Sequence, residues 1–237
     1  MTIQTDTARM PIGNFTILSN KQDRMSNYVR SGRFEEWMKP LIDSYADKDK
    51  IAIDMGSNLG IHTAYMSNKF QHVLAFEPQS VIADLSRQTF KDNGFQNITV
   101  IDAGCSDVKG VIDFPVIDYD TTKNCGSASA EGASRQYSSG WDGESYTSVD
   151  VVSVDDIFFD MFSHGAVGFV KVDVEGYEYK ALKGAEKILK TFQCPVIIEL
   201  KDRPLGNIRR VHDLFISAGY GNRRMVGQQN WDYLYTK

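Results

Sequence analysis

The chain has 237 residues, of which 42% are hydrophobic and 24% charged, and this is enough to bury the core of one domain. Its formal net charge of -5 at pH 7 argues against a broad nucleic-acid-binding surface, because such surfaces use Lys and Arg to neutralise phosphates. The basic pairs Arg209-Arg210 and Arg223-Arg224 are typical of solvated surface. We therefore expect a single acidic domain with no nucleic-acid partner.

The cysteine content and the hydropathy pattern indicate the compartment. Cys105, Cys125 and Cys194 are odd in number, far apart and without a C-x-x-C spacing, so neither a disulfide framework nor a zinc site is predicted. No stretch approaches the roughly 18 apolar residues that span a bilayer. These features predict a cytoplasmic protein that makes no use of a membrane.

Residues 1–49 predict an N-terminal strand and a helical cap. Apolar side chains recur at helical spacing at Phe34, Trp37, Met38, Leu41, Ile42 and Tyr45. Pro40 interrupts this run, which predicts a short first helix and a second helix that begins at the proline. The cap could pack on a sheet or cover a subunit contact, so the oligomeric state stays open.

Residues 50–237 alternate short apolar strands with amphipathic helices. The predicted strands are Lys50–Asp54, His72–Phe76, Ile98–Asp102, Gly168–Asp173 and Pro195–Glu199. The predicted helices cover 61–69, 81–93, 155–162, a single stretch that follows Gly176 and includes Ala181 to Lys190, and 208–218. Strands at 220–226 and 231–235 form a terminal hairpin. This alternation predicts one α/β domain, with a parallel sheet covered by helices on both faces.

One segment breaks the alternation. Residues 118–145 are rich in Ser, Gly, Tyr and Asp and are longer than an ordinary connection, which predicts an insertion. Tyr119, Tyr137, Trp141 and Tyr146 favour a lid over simple disorder, and such aromatic residues weakly favour a carbohydrate acceptor. We expect this insertion to be the loop that defines the acceptor.

A glycine turn follows the first predicted strand. Asp54–Gly60 reads D-x-G-x-x-x-G, in which glycines allow a tight turn and let the backbone approach a nucleotide-like ligand. Glu77 ends the next strand, is closed by Pro78, and is placed to accept hydrogen bonds from both hydroxyls of a ribose. The spacing differs from the G-x-G-x-x-G of nicotinamide-dependent oxidoreductases, although an NAD-dependent enzyme remains an alternative.

Several motifs in fixed order are similar to one family. They are Ile53–Thr63, Glu77-Pro78, Ser153–Asp156, Lys171–Gly176, Leu182–Ala185 and Ile198–Leu200. Together they resemble the FkbM family of methyltransferases from about Tyr28 to the end of the chain. The resemblance implies a class I methyltransferase fold, with a seven-stranded, mostly parallel sheet whose last strand is antiparallel. It also implies S-adenosylmethionine as cofactor and O-methylation of a sugar or a secondary metabolite.

The resemblance also assigns the cofactor-binding residues. It implies that Asp54, Gly56, Ser57, Asn58 and Gly60 surround the methionine part of the cofactor. Glu77, followed by Pro78, would bind the ribose. Asp102–Ser106, which includes Ala103, would lie near the adenine, with Asp102 as the contact to its edge. Met55 and Ser57 depart from the commoner family residues, but a site formed largely by backbone tolerates this.

Acidic residues at later strand ends predict the catalytic end of the site. Asp173 and Glu175 follow the fourth parallel strand and Glu199 ends the fifth, so their carboxylates should converge. Methylation of an alcohol requires loss of a proton, and Asp173 is the candidate general base. Alternatively, Asp173 and Glu199 would bind a divalent cation such as Mg²⁺. Glu178 is expected to cap the following helix.

Two further assignments stay open. His62, in the first turn after Gly60, is a reserve catalytic base, although a histidine at this place more often packs or hydrogen-bonds locally. A degenerate nucleoside-binding module would keep the sheet but lose the glycine turn or Glu77, and both are present. The predicted reaction is therefore an in-line displacement on a small-molecule or glycan acceptor.

Overall fold

The structure is a computed structural model of the chain. It describes residues 5–9, 16–20, 34–119, 125–130, 141–201, 206–227 and 231–237. Side chains are described from Phe34 onward within these ranges, except that of Cys125. Tyr137, part of the predicted lid, lies outside the described residues. Among the described residues, no helix has the length and apolar character needed to cross a membrane.

A seven-stranded sheet forms the centre of the molecule. Its strands are β3 (Asp47–Met55), β4 (Phe70–Phe76), β5 (Ile98–Ile101), β9 (Val167–Val172), β10 (Val196–Glu199), β11 (Asn222–Val226) and β12 (Asp232–Thr236). Their order is β11-β12-β10-β9-β3-β4-β5. The pairs β3/β4, β3/β9, β4/β5 and β9/β10 are parallel, whereas β12 is antiparallel to both β10 and β11. The mostly parallel sheet, the antiparallel last strand and the terminal hairpin are thus confirmed.

Helices cover both faces of this sheet. They are α1 (Met38–Ser44), α2 (Ile61–Ser67), α3 (Ser80–Asp92), α4 (Val154–Met161), α5 (Glu178–Lys183), α6 (Glu186–Phe192) and α7 (Asn207–Ser217). Along β3, Ile51, Ile53 and Met55 pack against the cluster that contains α4 to α7. Ala52 points the other way, into the cluster that contains α1 and Met66 of α2. Both faces of β3 are therefore buried, as its continuous apolar run predicts.

The N-terminal segment departs from its predicted helices. Pro40 lies inside the first turn of α1, where its missing N–H costs no helical hydrogen bond, and residues 34–37 form a turn in place of a separate helix. Two strands, β1 (Thr5–Arg9) and β2 (Thr16–Asn20), pair antiparallel ahead of this segment. They belong to the strand part of the predicted N-terminal cap.

The helix predicted after Gly176 is two helices, α5 and α6, which meet at Gly184. A Cβ atom at Gly184 would collide with the carbonyl oxygen of Ser106, so the chain comes too close here for any side chain. The Gly184 carbonyl accepts hydrogen bonds from Asp155 N (2.7 Å) and Ser153 Oγ (3.1 Å). Asp155 in turn caps α6 by accepting from Lys187 N and Ile188 N. Contacts with distant residues therefore end α5, which helical periodicity alone cannot indicate.

A second, small sheet was not predicted. It consists of β6 (Gly104–Cys105), β7 (Gly110–Pro115) and β8 (Tyr146–Val152), in the order β6-β8-β7. Val116 N donates to Ser145 O (3.0 Å), so the predicted insertion leaves and re-enters the fold at the end of the β7–β8 pair. The insertion is thus an extension of a small sheet that stands beside the carboxyl ends of β4 and β5.

Candidate functional site

The carboxyl ends of neighbouring parallel strands meet at one edge of the central sheet, and a cleft of about 690 Å³ opens there. The turn after β3 and the end of β4 form one side, with Gly56, Asn58 and Glu77. The loop after β9 forms another side with Asp173 and Glu175. A third side comes from the small sheet. The sequence thus predicted a cleft at this edge of the sheet, but it did not predict that a small sheet forms the third side of the cleft.

The glycine turn is fixed by backbone contacts. Gly56 has φ +82°, and a Cβ atom there would collide with the carbonyl oxygen of Asp173. Gly56 N and Ser57 N both donate to Phe76 O, at 3.0 and 2.9 Å. Gly60 has φ +78° and packs against the ring of Phe90. Both glycines are therefore required by the geometry, and the turn lies in contact with β4 and with the loop after β9.

Glu77 is held at the centre of one side of the cleft. Its side chain is 3% exposed, and its carboxylate accepts from Asn58 N and Gln79 N, each at 2.9 Å. Burial raises the pKa of Glu77 to about 7, although these hydrogen bonds partly oppose the rise. A ligand that donates hydroxyl groups to Glu77 would favour the ionised form.

Lys171 is a buried cation beneath the cleft that sequence analysis did not single out. Its Nζ lies 3.4 Å from Asp54 Oδ1, 3.5 Å from Asp173 Oδ2 and 3.3 Å from Gly56 O. Burial opposes the charge of Lys171, but the carboxylates of Asp54 and Asp173 outweigh this effect and raise its pKa. The sequence could have indicated this role, because Lys171 lies within the otherwise apolar strand Val167–Val172 and a buried lysine requires a partner of opposite charge.

Asp54 takes a different position from the one expected. It is completely buried, accepts a hydrogen bond from Thr63 Oγ1 (2.6 Å), and does not line the cleft. Its carboxylate faces Lys171 and no cleft atom. Asp54 therefore acts on the site through Lys171 and the backbone of the turn.

Three carboxylates converge at the ends of β9 and β10, as predicted. Oxygens of Asp173, Glu175 and Glu199 all lie within 4.8 Å of one another. Lys201 Nζ lies 3.1 Å from Glu175 Oε2 and 2.9 Å from Glu199 Oε1. The cluster thus already contains an ammonium group of its own, which contacts two of the three carboxylates.

The members of this cluster differ in protonation. Burial, and then the charge of Asp173, raises the pKa of Glu199 to about 10. Burial also acts to raise the pKa of Asp173, but the positive charge of Lys171, a hydrogen bond with Glu199 and the charge of Lys201 together outweigh burial, and the pKa is lowered. Glu199 therefore carries a proton at neutral pH, whereas Asp173 is an ionised acceptor whose side chain is about one third exposed (32%).

Glu178 holds the loop that carries these acids. Its carboxylate is buried and accepts from Gly176 N (2.7 Å) and from Asn207 Nδ2 (2.5 Å). Glu175 at φ +47° and Gly176 at φ +100° make the tight bend that this hydrogen bond closes. Glu178 therefore braces the bend ahead of α5, while α5 itself has no side-chain cap hydrogen bond, so the expected capping of the helix is not what this side chain does.

His62 lies beside the turn and does not line the cleft. It is 6% exposed, its Nε2 is 2.7 Å from Glu35 Oε2, and its ring lies 5.2 Å from that of Phe34. The N-terminal segment therefore engages the histidine, which is the local role that was weighed against catalysis.

In the segment after β5, the cleft is lined by Gly104 and Cys105. Asp102 points elsewhere, with its side chain 39% exposed and Oδ2 4.0 Å from Arg87 Nη1, and Ala103 is buried. Pro78 also lines the cleft. The segment expected near an adenine thus lies at the cleft through its members Gly104 and Cys105, whereas Asp102, the expected contact to the adenine edge, and Ala103 do not line the cleft.

Comparisons with known proteins identify the family of this chain. Residues 54–222 match the family described as the methyltransferase FkbM domain, and the chain belongs to this family. Hexuronic acid methyltransferase AglP of Haloferax volcanii is 29% identical over 178 residues, which are 73% of this chain and 64% of that protein.

Two solved structures share the fold. The crystal structure of methyltransferase FkbM from Methylobacillus flagellatus has a TM-score of 0.55 and 21% identity, over 91% of this chain and 48% of that chain. SMU.1697c of Streptococcus mutans, solved in complex with SAH, has a TM-score of 0.51 and 13% identity, over 84% and 94%. The fold is therefore that of class I methyltransferases. The chain covers 64% of the length of AglP and 48% of the length of methyltransferase FkbM from Methylobacillus flagellatus.

Proposed function

Since the chain is a member of the FkbM family, we propose that it is an S-adenosylmethionine-dependent methyltransferase that methylates a hydroxyl group of a sugar or a secondary metabolite. The observation that carries this proposal is the hydrogen bond between Asn58 N and Glu77, which joins the glycine turn to an acid that borders the cleft. The hexuronic acid methyltransferase similar to this chain supports a sugar acceptor.

The residues around the cleft fit the cofactor. Glu77 offers a carboxylate to the two hydroxyls of a ribose, and the backbone of Gly56 to Asn58 lies next to it. Ser57 Oγ is buried, has no hydrogen-bond partner among the described residues and does not border the cleft, so Ser57 adds no side-chain contact to this fit. S-adenosylmethionine, when bound, supplies an electrophilic methyl group on a good leaving group.

Asp173 is the general base of the proposed reaction. It borders the cleft and is ionised because Lys171 lowers its pKa. A carboxylate oxygen of Asp173 would accept the proton of the acceptor hydroxyl, and the cofactor, when bound, would supply the methyl group that this oxygen receives. The protein contributes alignment of the reactants and removal of this proton.

Glu175 and His62 have supporting roles in this proposal. Glu175 pairs with Lys201 and so fixes the ammonium group beside the acid cluster. His62 is engaged by Glu35, which leaves the role of base with Asp173. A divalent cation held by Asp173 and Glu199 is the alternative way to lower the pKa of the alcohol, and Lys201 would have to leave to admit it.

The test is calorimetric titration of the purified protein with S-adenosylhomocysteine and, separately, with NAD. We expect micromolar binding of S-adenosylhomocysteine alone, reduced about tenfold or more in Glu77→Gln because a ribose would lose charge-assisted hydrogen bonds. The matched control is Glu144→Gln, at an exposed acid away from Glu77. Binding of NAD alone would identify an oxidoreductase, and binding of neither would identify a degenerate module. Labelled cofactor and a panel of hydroxylated acceptors then identify the substrate.

A further inference from the structure

The terminal hairpin lies next to the acid cluster, the three carboxylates at the ends of β9 and β10. Its strand β12 pairs with β10, and Asp232 of β12 lies opposite Glu199, a member of the cluster. Leu200 N donates to Trp231 O at 2.7 Å, so the chain ahead of β12 stays bonded to the chain that leaves β10. Trp231 is therefore held directly beside the acid cluster.

Lys201 joins the ring of Trp231 to the acid cluster. Its Nζ lies 5.9 Å from the centre of the indole ring, 3.1 Å from Glu175 Oε2 and 2.9 Å from Glu199 Oε1. An ammonium group at this distance is attracted to the face of an indole ring. Glu175 itself lines the cleft. The indole ring thus stands at the rim of the cleft, with one ammonium group between it and the carboxylates.

The ring of Trp231 is more open to solvent than those of the other two tryptophans. Trp231 is 36% exposed, whereas Trp141 is 9% exposed and Trp37 packs against the core cluster around α1. Trp141 also donates from its Nε1 to Ser145 O at 2.7 Å. A tryptophan offers a large, rigid apolar face, and at Trp231 the fold leaves part of this face uncovered. The uncovered part is available to a ligand.

The hairpin that carries Trp231 is fixed in place. A Cβ atom at Gly227, which has φ +76°, would come within 2.6 Å of Asp232 Oδ2 and 3.1 Å of the Trp37 ring. The glycine therefore allows the hairpin to approach the N-terminal segment closely, and Asp232 is 8% exposed as a result. A ring presented on such a support is preformed, so a ligand would not have to order it on binding.

Two aromatic residues that we expected at the acceptor have other contacts. Trp141 packs with Phe114 and Ile117 in the core of the small sheet. Tyr119 Oη donates to Gln79 Oε1 at 3.0 Å, just after β4. Trp141 and Tyr119 therefore hold the insertion in place, which directs attention to Trp231 as the surface for the acceptor.

We propose that Trp231 and Lys201 form the acceptor platform of this protein, and that the acceptor bound there is a sugar. One face of a pyranose consists of C–H groups that pack on an indole ring, while its hydroxyl groups can hydrogen-bond to Lys201 and to the acid cluster. The inference rests on the proposed function and deepens it, because it selects a sugar over a secondary metabolite. It also moves the acceptor from the insertion to the terminal hairpin.

The experiment measures methyl transfer from labelled S-adenosylmethionine to methyl glycosides of neutral hexoses and of hexuronic acids, with simple phenols for contrast. Trp231→Ala should raise the KM for a glycoside about tenfold with a smaller change in kcat, because the ring binds the acceptor and moves no proton. Trp231→Phe keeps an aromatic face and should stay within about threefold of the unaltered protein. Met225→Ala, at an exposed apolar residue of β11 in the same hairpin, is the matched control and should leave the KM unchanged.

Calorimetry with S-adenosylhomocysteine on the same preparations separates this inference from the proposed function. Trp231→Ala should bind S-adenosylhomocysteine as tightly as the unaltered protein, and a loss of that affinity would place the ring at the cofactor and overturn the inference. An unchanged KM in Trp231→Ala would also overturn it, as would transfer to phenols alone or to none of the acceptors. These results leave the cofactor assignment standing. If the unaltered protein does not bind S-adenosylhomocysteine, the proposed function itself fails.

Discussion

The two ends of the cleft are lined by residues of different chemistry. At the nucleoside end, backbone groups and apolar side chains surround a single buried acid, Glu77. At the reaction end, Asp173, Glu175 and Glu199 lie among two lysines, Lys171 and Lys201. The first end can recognise a ligand by shape and by a few hydrogen bonds. The second can move a proton, because its charges compensate one another and one carboxylate is kept ionised.

The variant Asp173→Asn is the strongest test of whether the reaction end carries turnover and the nucleoside end carries binding. Loss of the general base should reduce turnover about 10²- to 10⁴-fold, while the affinity for S-adenosylhomocysteine stays nearly constant because binding depends on the other end. Methyl transfer from labelled cofactor and calorimetry on the same preparation measure the two quantities. Unchanged turnover would remove Asp173 from the mechanism.

The buried charges of the reaction end can be removed in two steps. Lys171→Met leaves Asp54 buried without its cation and should lower the free energy of unfolding by about 3–5 kcal/mol. The double variant Asp54→Asn/Lys171→Met removes both charges and should recover much of this loss. Denaturant unfolding of the unaltered protein, of Lys171→Met and of the double variant measures these differences in the free energy of unfolding. A double variant no more stable than Lys171→Met would show that the two residues do not act as a pair.

The nucleoside end should respond to pH through Glu77. Its pKa of about 7 means that the protonated form dominates at pH 6 and the ionised form at pH 8. Because a ribose would donate to the ionised carboxylate, the affinity for S-adenosylhomocysteine should rise by about tenfold from pH 6 to pH 8 and then level off. Glu77→Gln cannot ionise and should abolish the dependence. An affinity that is flat across this range in the unaltered protein contradicts the assignment.

The smallest effect is expected for metal ions. Lys201 occupies the acid cluster, so millimolar Mg²⁺ should leave the thermal unfolding midpoint unchanged. Lys201→Met removes the competing ammonium group and should create weak Mg²⁺ binding, visible as a rise in the midpoint. Tight Mg²⁺ binding by the unaltered protein would favour the metal-assisted alternative.

Sequence patterns predicted β9 and β10 and the second half of β3 well because these segments are buried and read as continuous apolar runs. They failed for β7 and β8, which are largely solvent-facing strands with mixed composition. The glycine turn, Glu77 and the three converging acids followed from their places at strand ends. The pairing of His62 with Glu35 could not be predicted, because the two residues are 27 positions apart and meet only through tertiary packing.

The direction of a buried side chain was likewise beyond the sequence. Asp54 lies one residue before the end of β3, which ends at Met55, and its carboxylate contacts Thr63 and Lys171 while the residue does not line the cleft. Asp102 shows the same limit, since the cleft is bordered by the glycine two positions later. The approximate position of a site along a strand end is thus readable, whereas the face that each residue presents depends on the finished fold.

The contact between Gly56 and the Asp173 carbonyl has a consequence for building hybrid enzymes. The two backbones touch with no side chain between them, so neither segment has room to adjust to a foreign partner. A chimera between two family members should therefore take residues 54–60 and 171–177 from the same parent.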